Sequence, residues 1–317
     1  MAHSLKPKVS PHKKTSAAID LGHLATEQPN RSSTNLDTKS SLEIAQIINS
    51  EDAKVAGAVK RAIPSIAKAI DAIVHALNNN GRLIYVGAGT SGRIAAIDAS
   101  ECPPTFNADP HTVQYVMAGG PRALANAAEF NEDSRDLGAA DIAKRRPTRN
   151  DVVVGIAASG RTPYTISALE YAKSRGAVTV GIACNQGSEL GRVADIEIEV
   201  DVGPEVVSGS TRMKAGTAQK LVCNMLTTGA FTRLGYVYGN LMVNVHLKNK
   251  KLIERGISIL MHAAHVDRTT AEKTLKIAAN HVPVALVMLR TGVSVTDAEK
   301  RLKEARGNVR RAIEELD

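Results

Sequence analysis

Between residues 59 and 77 apolar side chains recur at steps of three and four: Val59, Ile63, Ile66, Ile70, Ile73, Val74 and Leu77. That spacing draws one stripe down a helix, and the run Asn78-Asn79-Asn80-Gly81 ends it. Helical patterning begins at Ser41, and Pro64 within it predicts a kink or a fresh helix start. Beyond Gly81 the pattern changes to short continuous apolar runs: Leu83–Val86, Val113–Met117, Val152–Ile156, Val178–Ala183 and Ile196–Val200. Each of the first three is followed by a turn of small residues and then a helical pattern, the second of these helices opened by Pro121. Apolar strands alternating with helices predict an α/β fold whose parallel sheet is covered on both faces. The expectation is a five-stranded doubly wound parallel sheet over about 81–202, with N-terminal helices before it and a long helix from Thr211 to Leu234 after it.

The two ends differ from this middle. Residues 1–40, rich in Ser, Thr, Pro, Asn and Lys, read as a flexible or loosely docked basic arm. Residues 41–250 read as the α/β domain with its helical lead-in, and 251–317 as a helical tail. In the last fifty residues Thr269-x-x-Glu272 and Thr296-x-x-Glu299 have capping-box spacing, and Gly292 and Gly307 stand at chain breaks. With a last helix from Asn308 to Leu316, these predict a small strand-free three-helix module.

Charge changes this picture little. The 40 Lys+Arg against 32 Asp+Glu leave a formal +8, which invites a nucleic-acid reading. The excess, however, sits in residues 1–40 and 246–317, while residues 41–245 hold twenty of each sign. Aromatics are 3% with no Trp, so platforms for stacked bases are scarce, and no nucleic-acid-binding signature is found. A 43% apolar content supports a sizeable core, and no apolar run reaches membrane-spanning length. The N-terminus has no secretory pattern, and three scattered cysteines (Cys102, Cys184, Cys223) suit a reducing cytoplasm, so a cytoplasmic location is expected. No metal site is indicated; His262 and His265 read as ordinary helix-surface histidines.

Candidate chemistry gathers in three loops: Gly89-Thr90-Ser91-Gly92, Ser159-Gly160-Arg161-Thr162 and Ser208-Gly209-Ser210-Thr211. Each sets glycine and hydroxyls at a predicted helix start. Glycine lets backbone N–H groups approach an anion, hydroxyls add donors, and the helix dipole favours negative charge. Any one of them alone reads as simple helix capping; three of one kind in a single domain point to a phosphate or sugar hydroxyls. The first loop has the spacing G-x-G-x-x-G but lacks the acid expected at the next strand's end, so it is not a dinucleotide fingerprint. Nor does it carry the Lys-Ser/Thr ending of a P-loop.

Two carboxylates stand out. Glu101 precedes Cys102-Pro103-Pro104, where the double proline predicts a helix end and a chain reversal. An acid near a helix C-terminus opposes the dipole, which makes Glu101 a candidate for general acid/base work or, in the plainer reading, a solvated surface Glu. Glu132, beyond the second strand, reads by itself as part of an acidic surface patch.

The strings GAGTSGRIAAIDASECPPTF (87–106), VMAGGPRALANAAEFNED (116–133), GIAASGRTPY (155–164) and EVVSGSTRMKAGTAQK (205–220) together resemble the N-acetylmuramic acid 6-phosphate etherases, of the sugar-isomerase (SIS) fold superfamily. The resemblance runs from about Ala25, through DTKSSLEIAQIINSED (37–52), to the C-terminus, where the tail is similar to the family's ubiquitin-associated-like module. It implies a SIS-type sheet and cleavage of the D-lactyl ether at C3 of the phosphorylated amino sugar, a carbon–oxygen lyase reaction of cell-wall sugar recycling. It further implies Glu101 as catalytic acid/base and Glu132 as a second catalytic glutamate. Substrate-binding residues would be Gly89, Thr90, Ser91, Ser159, Gly160, Arg161, Thr162, Ser208, Ser210 and Thr211. Arg212 and Lys214 accompany the third loop with a weaker claim to the ligand. No cofactor is implied, and a homodimer with the sugar site near its interface is expected.

The same fold leaves two rival readings open: a non-catalytic sugar-phosphate sensor, which has no need of a glutamate pair, and an aldose–ketose sugar-phosphate isomerase, which would release no lactate.

Overall fold

The computed structural model describes residues 24–126 and 131–314. Residues 24–40, the latter part of the expected arm, lie against the body in three 3₁₀ turns, with Leu24 and Thr26 buried. Helix α1 (Ser41–Asp52) opens with a capping box in which Ser40 and Glu43 bond reciprocally. The chain breaks at Ala53–Lys54, and α2 (Val55–Asn78) then runs unbroken through Pro64. Pro64 lies on the solvent face, so the Lys60 carbonyl it leaves without a helical partner lies toward water. The buried stripe of α2 is richer in alanine than the apolar pattern suggested: Val55, Val59, Ala62, Ile66, Ala69, Ile73 and Ala76 face inward, while Ile63 is exposed.

Five strands follow where the apolar runs placed them: β1 (Leu83–Gly87), β2 (Val113–Met117), β3 (Val152–Ile156), β4 (Val178–Ala183) and β5 (Ile196–Glu199). All pair in parallel in the order β2-β1-β3-β4-β5. Alternate residues face opposite layers. Leu83 and Tyr85 join a core with α2, α3 (Gly89–Phe106) and α7 (Lys214–Arg233), while Ile84 and Val86 join one with α4 (Arg135–Ala143), α5 (Pro163–Ser174) and α6 (Glu189–Val193). The α2–α7 contact is close: a side-chain carbon on Gly229 would meet Ile70 Cδ1 at 2.6 Å.

Several local expectations are corrected. Pro121 opens a four-residue 3₁₀ turn, and residues 127–130 fall outside the described ones. Helix α3 passes through Pro103 and Pro104 to Phe106. Buried Cys102 and Phe106, the latter stacked on Phe231 at 4.5 Å, hold its last turn in the core while the prolines stay on the outer side. Packing outweighs the lost donors.

After a hairpin of β6 (Val237–Tyr238) and β7 (Leu241–Met242), the chain is helical: α8 (Lys250–Ala264), α9 (Arg268–Ile277), α10 (Val282–Thr291), α11 (Val295–Glu304) and α12 (Val309–Glu314). Among the described residues of the last fifty, four helices therefore stand where three were expected; α10 is the added one. The helices α9 and α11 are capped by Asp267 and Ser294, whose side chains accept from Thr270 and Asp297 N–H, so Thr269 and Thr296 lie inside the first turns. Gly292 does close α10, at φ 73°. This region has its own core, including Leu260, Leu286 and Leu302. Asn244 ties its entry to the body by donating to the Phe106 carbonyl at 2.8 Å.

Candidate active site

Strand order reverses direction between β1 and β3, and in open α/β sheets the crevice beyond the strand ends at such a point takes the ligand. The loop leaving β1 enters α3 at Gly89, with φ +52°. Amides in that first turn have no helical acceptor and carry the positive end of the helix dipole. The Glu132 carboxylate sits against it: a side-chain carbon on Gly89 would lie 3.0 Å from Glu132 Oε1. The Glu132 carbonyl in turn accepts from Tyr164 N–H at 3.0 Å, in the first turn of α5. A glutamate that reads as part of an acidic surface is thereby fixed between two helix starts.

Glu132 also lines a cavity of about 690 Å³ together with Ser159, Arg161 and Thr162 of the loop after β3. Within that loop Ser159 Oγ accepts from Arg161 N–H at 3.2 Å. Gly160, at φ +70°, lets the loop touch the next one: a side-chain carbon there would stand 2.4 Å from Ser188 Cβ. Any larger residue would force the two loops apart. The cavity's remaining walls come from Asn185–Glu189 after β4, from Arg192 and Asp201, and from Leu24 and Ala25 of the N-terminal segment. Its charges are discrete, with Glu132, Asp133, Glu189 and Asp201 opposite Arg161 and Arg192.

The other expected site residues are placed differently. Ser91 is buried, and its hydroxyl donates to Gln219 Oε1 at 3.0 Å, which ties α3 to α7. Thr90 stays near the surface beside the start of α7, its Cγ2 3.5 Å from where Gly216 would carry a side-chain carbon. The Ser208–Thr211 loop does not line the Glu132 cavity; it is tied to the N-terminal segment, where Gly209 N–H donates to the Thr26 carbonyl at 3.2 Å. The start of α7 already holds an anion. Fully buried Glu205 accepts from Lys214 N–H at 3.0 Å and from Ala215 N–H at 2.9 Å. Burial pushes the Glu205 carboxyl up, against the two amides that hold it down. Lys214 is not a ligand-facing cation: its Nζ is buried 2.8 Å from Glu51 Oε2. Arg212 is exposed.

Glu101 is not at the cavity. It is exposed, twelve residues beyond Gly89 along α3, and so about 18 Å away down the helix. A single chain therefore joins Glu132, Gly89 and the second loop at one site and leaves Glu101 apart.

Pattern reading missed the β4 loop and the N-terminal wall. Ala183-Cys184-Asn185-Gln186-Gly187-Ser188 repeats the strand, small polar loop, helix grammar, and that signal was there to find. Leu24 and Ala25 have no local signal at all.

This architecture defines the class. A family model described as "SIS domain" matches residues 139–229, and one described as "Glucokinase regulatory protein N-terminal SIS domain" matches residues 65–173. At full length, the chain is 50% identical over 293 residues to an N-acetylmuramic acid 6-phosphate etherase of Actinobacillus pleuropneumoniae, covering 92% of this chain and 96% of that protein. A second such etherase, from Vibrio parahaemolyticus, is 50% identical over 295 residues, covering 93% of this chain and 98% of the other. A solved phosphoheptose isomerase of Neisseria gonorrhoeae aligns with a TM-score of 0.46 at 16% identity, covering 60% of this chain and 99% of that one. The chain belongs to the N-acetylmuramic acid 6-phosphate etherase family. Among the described residues no helix is long and apolar enough to cross a membrane.

Proposed function

We propose that the chain cleaves the D-lactyl ether of N-acetylmuramic acid 6-phosphate, releasing D-lactate and N-acetylglucosamine 6-phosphate. One observation carries the reading: the Glu132 carboxylate is held at the first-loop helix start, in a cavity shared with Ser159, Arg161 and Thr162. An ether is a poor leaving group at neutral pH, and elimination avoids the difficulty. Ring opening exposes an aldehyde at C1 that acidifies the C2 proton. A carboxylate removes this proton, the C3–O bond breaks, and the lactate oxygen takes up a proton as it departs. Water then adds across the resulting C2–C3 double bond, with hydroxyl at C3 and a proton at C2. Every step is proton transfer, bond cleavage or addition, and the scheme asks for no cofactor.

Glu101 is assigned C2 deprotonation and protonation of the leaving oxygen; Glu132 assists ring opening or handles the water. Because about 18 Å of helix separates Glu101 from Gly89 in one chain, this assignment calls for a homodimer in which a second copy brings its Glu101 to the cavity. The phosphate is taken by hydroxyls, backbone amides and helix starts rather than by a broad basic surface. A cytoplasmic setting suits the three buried free cysteines.

The test is incubation with the substrate and assay for D-lactate. Glu101→Gln is expected to abolish release and leave sugar-phosphate binding intact; more than about a tenth of wild-type turnover contradicts its role, since acid/base catalysis contributes roughly 10²–10⁴-fold. The match of residues 65–173 to a regulatory-protein SIS domain favours a sensor as the second reading. Binding of the sugar phosphate without lactate release would select it, and a ketose phosphate product would select an isomerase.

A further inference from the structure

The strand loops that line the cavity all come from the sheet, but one wall comes from more than fifty residues before β1: Leu24 and Ala25. Two features fix this wall in place. Thr26 is fully buried; its hydroxyl accepts from Asn185 Nδ2 at 3.2 Å and its carbonyl from Gly209 N–H at 3.2 Å. Four residues on, Asn30 Nδ2 donates to Glu51 Oε2 at 3.0 Å and to the Pro204 carbonyl at 2.9 Å. The segment is therefore pinned to the β4 loop, to the third loop and to the Glu51–Lys214 pair. Beside it, Glu27 Oε2 lies 3.0 Å from the place of a side-chain carbon on Gly209.

Asn185 borders the cavity, is 3% exposed, and its Oδ1 has no hydrogen-bond partner. Its Nδ2 is used on Thr26 and on the Ala158 carbonyl. The Ala158 carbonyl, which can only accept, sets which end of the amide is Nδ2, and the Thr26 hydroxyl braces that end, leaving an unused acceptor in a side chain at the cavity wall. A buried acceptor without a partner costs stability, and a ligand hydroxyl or amide N–H is the group that would relieve it. Leu24, Ala25 and Pro163 are the apolar members of an otherwise polar wall.

We propose that Leu24–Asn30 is a strap that completes the sugar-phosphate site, with Thr26 as a positioning residue that braces Asn185 for a donor of the sugar and Leu24 as the apolar wall against a methyl-bearing substituent. The identity of that sugar rests on the etherase reading.

The experiment measures lactate release together with calorimetric binding of N-acetylglucosamine 6-phosphate, for wild type and four variants. Thr26→Val, which keeps shape and loses the hydroxyl, raises KM and Kd about tenfold with kcat within about twofold, as loss of a binding-only contact requires. Thr26→Ser restores wild-type values. Leu24→Ala raises KM several-fold. Ser33→Ala, which removes a hydroxyl bond to the Asn30 carbonyl in the same segment away from the cavity, leaves KM unchanged. Thr26→Val with KM and Kd within twofold of wild type overturns the proposal, as does an equal shift in Thr26→Ser or Ser33→Ala. If Thr26→Val does not fold, Leu24→Ala decides: KM within twofold overturns the strap. A wild-type chain that binds the sugar phosphate without releasing lactate overturns the etherase reading alone, because the variants' Kd values still test the strap. One that binds no sugar phosphate overturns both.

Discussion

Glu132 Oε1 lies 3.0 Å from the point where Gly89 would carry a side-chain carbon, at a residue whose φ is +52°. The glutamate and the glycine loop thus form one unit: the loop has room for the carboxylate because residue 89 has no side chain. Gly89→Ala is expected to add the steric cost of a left-handed residue, about 1–2 kcal/mol of stability, and to displace Glu132. Displacements on the ångström scale cost roughly 10²-fold in rate. Melting temperature and kcat/KM for lactate release check both, and activity within threefold of wild type would show that Glu132 does not act from this position.

Glu132→Gln and Glu101→Gln should each be inactive. If a second copy supplies Glu101, an equal mixture of the two variants, dissociated and reassociated, restores about a quarter of wild-type turnover, because half the dimers are mixed and one of their two sites is intact. Zero recovery in mixtures shown by mass to contain mixed dimers places both glutamates on one chain's site, and an active Glu101→Gln removes Glu101 from the chemistry.

The Glu51–Lys214 pair should make stability depend on pH. Burial would raise the Glu51 carboxyl, but hydrogen bonds from Lys214, Lys54 and Asn30 outweigh it and hold the group at about 2. A folded-state value below the unfolded one near 4.3 means that the stabilisation is fully present above pH ~4.5 and drains away as pH falls toward 2. Glu51→Gln should therefore cost about 3 kcal/mol at pH 7, with the gap to wild type narrowing below pH 4.5 in denaturant titrations. A gap that stays constant down to pH 2.5 contradicts the ion-pair account.

The cysteines should be inert in the native protein. All three are buried. Burial, reinforced by neighbouring carboxylates, pushes the Cys102 and Cys184 thiols up to about 12, and burial raises Cys223 as well. Thiolate is the reactive form, so an aromatic disulfide reagent at pH 8 should label none within minutes and all three after unfolding. Fast labelling of any one in the native state would show that the structure burying it opens.

The strands and the first two site loops were legible in the sequence because their causes are local. Val152–Ile156 is a strand since a continuous apolar run fits only a sheet covered on both faces. Gly160 and Thr162 mark a loop and a helix start because turn chemistry is written within a few residues. Family strings likewise marked Glu132, although nothing in its neighbourhood did. Helix ends were less legible: prolines at 103 and 104 predict a stop that buried Cys102 and Phe106 override.

By itself, then, the sequence determined the parallel sheet, the glycine and hydroxyl loops, the neutral middle between basic ends, and the family. Tertiary structure decided which of those loops meet, and what already occupies them. Glu205 caps α7 where an anion site was expected, Lys214 is spent on Glu51, and Thr26 clasps Asn185 across 159 positions of chain. Glu101 and Gly89 share one helix and yet stand apart, because a helix rises about 1.5 Å per residue and α3 runs away from the strand ends. Such facts depend on contacts between residues far apart in sequence, which no local period or motif encodes.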